Sequence, residues 1–145
     1  MHILVLNGPN LNLLGLREPE HYGTQTYADL VNLLEAEAEK CGITIECKQS
    51  NHEGTLVDLI QEAYGKADGI IINPAAYTHT SVALLDAVKA VQIPTIEVHL
   101  TDPDTREDFR HVSYIRKGCI QTICGKGFQG YIEAMHAMIA YINNR

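Results

Sequence analysis

One stretch of the chain, Thr95-Ile96-Glu97-Val98-His99-Leu100-Thr101, sets a carboxylate and an imidazole two residues apart in an otherwise apolar run. Side chains alternate between faces along an extended strand, so Glu97 and His99 share one face. A carboxylate in that position orients the ring and favours its protonated form, as a general acid requires. The bland reading is a buried, satisfied pair; the carboxyl end of a strand favours function. The segment 7–23, NGPNLNLLGLREPEHYG, is longer than a strand-to-helix loop needs to be. It offers asparagines, Arg17 and Tyr22 on a stretch punctuated by glycine and proline, suited to closing over a ligand. Spacing alone leaves Arg17 and Tyr22 evenly balanced between that role and a surface loop, and Asn7 and Asn12 read as turn formers. The turn 73–81, NPAAYTHTS, leads into a helix that Thr80 or Ser81 can cap, with free backbone amides that suit an anion. Asn73 at a buried strand end must find partners there, and His79 beside it can simply fill a turn; singly, each is more often structural. Downstream, Arg106, Arg110, Arg116 and Lys117 gather positive charge, and arginine's planar fork matches carboxylates. Arg116 and Lys117 read as solvated. His2, His21, His52, His111 and His136 have no partner spacing that stands out.

The elements that must position these groups follow from periodicity. Short β-branched or apolar runs alternate with longer stretches of helical period, the pattern of βαβ units around a parallel sheet. Strands are predicted over 2–7, 43–49, 69–73, 95–99 and 119–124, and helices over 27–41, 55–64, 80–91 and 128–142. The first helix is the most distinct: Thr26 caps it with Asp29 three residues on, Tyr27, Leu30, Val31, Leu34, Ala38 and Cys41 form its stripe, and Gly42 ends it. The expected architecture is α/β, a flavodoxin-like three-layer sandwich with strand order 2-1-3-4-5, in one catalytic domain spanning 1–145. In such sheets ligands bind beyond the carboxyl ends of the strands, where strand order reverses. The loops after strands one, three and four are therefore the places for chemistry.

Composition narrows the function class. The chain has 145 residues, 46% hydrophobic and 20% charged, which excludes a disordered or fibrous protein. Eleven Lys and Arg against eighteen Asp and Glu give a net charge of -7, unsuited to nucleic acid or an anionic membrane. No apolar run is long enough to cross a bilayer, and the first residues read as a strand and not a signal peptide, which places the protein in the cytoplasm. Cys41, Cys47, Cys119 and Cys124 are expected to be buried thiols and not disulfides or zinc ligands. Phosphate-binding loops, dinucleotide fingerprints, the nucleophile elbow and the His-Glu-x-x-His metal motif do not occur in the sequence.

NGPNLNLLGLREPEHYG at 7–23, NPAAYTH at 73–79, EVHL at 97–100 and Glu107-Asp108-Phe109-Arg110-His111 together resemble the type II 3-dehydroquinate dehydratases of the shikimate and quinate pathways, over essentially the whole chain. The resemblance implies anti elimination of water from 3-dehydroquinate through an enolate, giving 3-dehydroshikimate with no cofactor, metal or Schiff-base lysine. By position Tyr22 is the general base, His99 the acid that protonates the departing hydroxyl, and Glu97 the group that orients His99. Arg17 favours the Tyr22 phenolate, with Arg106 as possible help, and Asn10 helps to stabilise the enolate. Asn73, Leu100 and Thr101 hold the substrate carboxylate, His79 and Arg110 bind ring hydroxyls, and Asp86 reaches in from a neighbouring subunit. The family is typically a homododecamer, a tetramer of trimers. A tyrosine base is demanding: lowering its ordinary value of about 10 by ~3 units takes roughly 4 kcal/mol of preferential phenolate stabilisation. The sequence departs from the family after EVHL, where Asp102 follows Thr101 and sets a negative charge near the expected carboxylate pocket. The alternative is a non-catalytic flavodoxin-like small-molecule binding module.

Overall fold

The computed structural model describes residues 1–16, 20 and 24–145. Arg17 and Tyr22 lie outside the described residues. Five strands, β1 (His2–Asn7), β2 (Thr44–Gln49), β3 (Gly69–Asn73), β4 (Thr95–His99) and β5 (Gln121–Cys124), pair in parallel in the order β2-β1-β3-β4-β5, as the sequence predicts. Among the described residues four longer helices connect or follow them: α1 (Tyr27–Cys41), α2 (Glu53–Glu62), α3 (Val82–Val91) and α4 (Phe128–Asn143).

Alternation along β1 divides the interior in two. Ile3 and Val5 face α1 and α4, packing with Leu30 and Leu34 and with Met135 and Met138. Leu4 and Leu6 face α2 and α3, packing with Leu56 and Ile60 and with Leu84 and Val88. Both faces of the sheet are thus covered, which is why β1 and β3 read as unbroken apolar runs. No helix among the described residues is long and apolar enough to cross a membrane.

The helix ends follow local chemistry. At α1, Thr26 accepts from the Asp29 amide while the Asp29 carboxylate accepts from the Thr26 amide, and Gly42 closes the helix at φ 69°. Helix α3 begins at Val82, two residues later than predicted, because 75–79 winds into a 3-10 turn and Ser81 caps the Leu84 amide. β5 likewise starts after Cys119, whose amide closes the 3-10 turn Ile115–Gly118. All four cysteines are free, but none is fully buried: Cys47, Cys119 and Cys124 are half-buried, and Cys41 is exposed because it is the last residue of α1, where the buried stripe stops at Ala38.

Asn7 is not the surface turn former that its neighbours suggest. It is fully buried, and the register sets it beside Asn73 at the carboxyl ends of β1 and β3. Tyr131 of α4, also fully buried, joins the two: its hydroxyl donates to Asn7 Oδ1 at 2.7 Å and accepts from Asn73 Nδ2 at 2.9 Å. Burial pushes the phenol up from its ordinary value, so it stays protonated and keeps donating. Tyr131→Phe would leave both amides without their shared partner. The expected loss of stability is about 1–3 kcal/mol, read as a lower urea midpoint at an unchanged slope.

Candidate active site

The loops after β1, β3 and β4 meet at the carboxyl end of the sheet, where strand order reverses between β1 and β3. Gly8 makes the approach possible. Its amide donates to the Asn73 carbonyl at 2.8 Å, and a Cβ there would lie 2.4 Å from the backbone oxygen of Pro74. The end of β2 braces the same loop: Asn51 Oδ1 accepts from the Asn10 amide, and Gln49 donates to the Gly8 carbonyl. Asn10 takes a left-handed conformation at φ 70°, which asparagine tolerates better than most residues. Ala75 does so at φ 53°, held there by its amide's hydrogen bond to Asn73 Oδ1.

Between these loops lies an open cleft. Asn10, Asn73, His79 and His99 line it, and so do Leu100, Thr101, Arg106 and Arg110. Eight of the residues predicted for the site thus come together from four separate segments. Asp86 is not among them; it lies exposed on the outer face of α3. Asp102 does not line the cleft either, because its carboxylate accepts from the Asp104 amide and caps the turn Pro103–Thr105.

Glu97 sits one layer below. Its side chain is fully buried, and its Oε2 contacts His99 Nε2 at 2.5 Å, so the expected pairing on one strand face is present. Oε2 also accepts from Ser113 at 2.7 Å and Thr78 at 3.4 Å; Oε1 accepts from Arg116 Nε and Thr122, both at 2.9 Å. Burial alone would push this carboxyl up. The hydrogen bond and charge of His99, then the hydrogen bonds of Arg116 and Ser113, outweigh that and hold it at about 2. Arg116 is therefore not simply solvated, as its sequence neighbours suggest. Its side chain is 43% exposed but its Nε closes on a buried carboxylate. Among the described residues no buried side-chain nitrogen or oxygen lacks a partner. With Nε2 committed to Glu97, the other ring nitrogen of His99 is left for the cleft.

His79 Nδ1 meets the Val112 carbonyl at 2.7 Å, so Nδ1 carries the proton and donates. Burial lowers this imidazole from its ordinary value, the Val112 bond opposes that, and the charges of His99 and Arg110 lower it further. A neutral His79 presents Nε2 as an acceptor, suited to a hydroxyl. Arg110 gives its Nε to Glu107 at 2.6 Å and stacks on Phe109, which fixes the guanidinium over the cleft's edge. The cleft can therefore bind a small anionic, hydroxylated molecule and protonate it from His99.

Sequence reasoning missed Tyr131, Ser113, Thr122 and Thr78. Only Tyr131 left a signal, as a hydroxyl on the apolar stripe of α4. Glu37, Cys41 and His136 also gather on α1 and α4, within 4.8 Å of one another. That cluster is explained by the His136–Glu37 hydrogen bond at 2.7 Å and shares no residue with the cleft.

The family model for class II dehydroquinases matches residues 1–139. A 3-dehydroquinate dehydratase of Dinoroseobacter shibae is 51% identical over 142 residues, covering 98% of this chain and 95% of that protein. One from Vibrio parahaemolyticus is 58% identical over 137 residues, covering 94% and 92%. The crystal structure of a type II dehydroquinase from Butyrivibrio crossotus superposes with a TM-score of 0.94 at 49% identity, covering 95% of this chain and 97% of that one. The matched residues contain the whole sheet, the cleft and the Glu97–His99 pair beneath it, and on this agreement of sequence and architecture the chain belongs to the class II dehydroquinase family.

Proposed function

We propose that this protein is a 3-dehydroquinate dehydratase that eliminates water from its substrate through an enolate, giving 3-dehydroshikimate. The observation that carries the reading is the buried, ionised Glu97 held against His99 at the floor of the cleft. A non-catalytic binding module would have no use for such a pair.

In this scheme the base removes a proton from the carbon beside the ketone, and the electron pair moves into an enolate. Collapse of the enolate expels the β-hydroxyl, which takes a proton from His99 and leaves as water, and the product is a conjugated enone. Every step is a proton transfer or its electronic consequence, so side chains suffice. Tyr22 is the base and Arg17 the cation that favours its phenolate; both assignments rest on the family pattern at 17–23. Asn10, at the rim, stabilises the enolate. Asn73, whose Oδ1 and one amide hydrogen are engaged by Ala75 and Tyr131, has a second amide hydrogen for the substrate carboxylate, alongside Leu100 and Thr101. His79 and Arg110 meet the ring hydroxyls, and Arg106 adds positive charge to the same cleft.

Asp86 reaches a neighbouring subunit's cleft in this reading, consistent with its exposure on α3 and its absence from the cleft of its own chain. The assembly is then a homododecamer of one-domain subunits, and the setting is cytoplasmic.

Purified protein mixed with 3-dehydroquinate should raise ultraviolet absorbance as the enone forms, with no effect of chelator or borohydride. Tyr22→Phe and His99→Gln should each lower kcat by roughly 10²–10⁴ while circular dichroism stays native, and a near-native rate in either would remove that residue from the mechanism. Glu97 sets an acid limit as well. Its folded value of about 2 lies below its ordinary 4.5, so its contribution is complete above pH 4.5 and is lost as pH falls towards 2. Thermal midpoints should fall through that window, more steeply in the native protein than in Glu97→Gln.

A further inference from the structure

The Glu97–His99 pair has an inherent weakness as a proton donor. A buried carboxylate holds a neighbouring imidazolium most tightly when the proton is in place, so the group that orients the acid also opposes its use. Once the proton has left, the carboxylate faces a neutral ring in the interior, a state in which burial favours moving a proton onto the carboxylate itself.

Arg116 bears on both problems. It stands on the 3-10 turn Ile115–Gly118, and Ile115 packs in the core beside α3, so the turn is anchored. Its Nε reaches Glu97 Oε1 at 2.9 Å, on the opposite carboxylate oxygen from His99. A guanidinium does not lose its charge at any working pH. Glu97 therefore sits between a permanent cation and a titrating one, with Ser113 and Thr122 filling its remaining acceptor positions.

On the functional reading above, we propose that Arg116 is a positioning residue of the reaction. Acting through Glu97, it keeps that carboxylate ionised and aligned while the His99 proton leaves and returns, and it makes His99 a readier donor than a Glu97–His99 pair alone would be.

The other charged and titratable groups around His99 stay in place when Arg116 is changed. Among the described residues they are Glu97 on its own strand, His79 from the turn after β3, Arg106 and Arg110 across the cleft, and Cys124 beside it on β5. Cys124 and Asp104 also act on Arg116 itself.

Arg116→Gln keeps a hydrogen-bond donor and removes the charge; Arg116→Lys keeps the charge and loses the fork. For Arg116→Gln the midpoint at which His99 loses its proton, followed by NMR and by the basic limb of kcat/KM, should move up by about one pH unit. Its kcat should fall about tenfold with little change in KM. Arg116→Lys should show the same displacement, smaller in size, and recover most of the rate. Thr122→Val, which removes an uncharged donor from the same oxygen, should move the limb by much less than Arg116→Gln does.

An unmoved His99 midpoint in Arg116→Gln would overturn the proposal, whether or not the rate had fallen. If Arg116→Gln does not fold, the Arg116→Lys titration alone decides. Native turnover of 3-dehydroquinate is measured first. Its absence rejects the functional reading, whereas native turnover with an unmoved Arg116→Gln profile rejects only the role of Arg116.

Discussion

A carboxylate with no access to solvent, set in the middle of a parallel sheet, is costly unless its charge is met and its lone pairs are filled. Glu97 satisfies that condition by drawing on nearly every segment around it: Thr78 from the turn after β3, Ser113 and Arg116 from the stretch before β5, Thr122 from β5 itself, and His99 from its own strand. The consequence is mechanical as well as electrostatic. Four separate stretches of chain are tied to one carboxyl group, so the floor of the cleft and the orientation of His99 are set by the same interaction that keeps the carboxylate ionised.

A second buried polar network lies on the other face of the sheet. Tyr131 comes from α4, on the side of Ile3 and Val5, and locks Asn7 to Asn73 at the ends of β1 and β3. The two networks flank the place where strand order reverses. One fixes an acid, the other fixes an amide, and each is centred on a side chain fully buried from water, Glu97 in the first and Tyr131 in the second. Hydrogen bonds in such surroundings are strong and their geometry is narrow, which suits a site that must hold a small polar molecule in one pose.

Much of this was legible before the structure. The runs at 69–73 and 95–99 coincide with β3 and β4, the first marked by the consecutive isoleucines that burial on both faces favours, and α1 carries a complete capping box and a glycine stop. Glu97 and His99 were legible as a pair because they are local, two residues apart on one strand. What escaped was non-local. Nothing near residue 116 announces that its guanidinium reaches residue 97, since the contact depends on how a 3-10 turn returns across the end of α3. Asn7 was misread for a similar reason: turn statistics describe its sequence neighbours, while its role comes from the strand register that brings it to Asn73 and from a tyrosine 124 residues away. Arg17 and Tyr22 stand apart from both cases, since the family pattern alone supports their roles.

The distribution of charge ties these strands together. A protein with a net charge of -7 places Arg106, Arg110 and Arg116 around one cleft and beneath it. Arg106 and Arg110 line the cavity, where they raise the potential felt by an anionic ligand. Arg116 acts from below on an anion that belongs to the protein. In the proposed chemistry the base needs the same device, a guanidinium that lets a phenol give up its proton. Both halves of the elimination would then rest on an arginine holding an anion in its charged state: at Tyr22 to create a base, at Glu97 to let His99 act as an acid. Fixed cations paired with protein anions do what a metal ion does elsewhere, stabilising negative charge where it is needed, and they do so without changing their own protonation as the reaction proceeds.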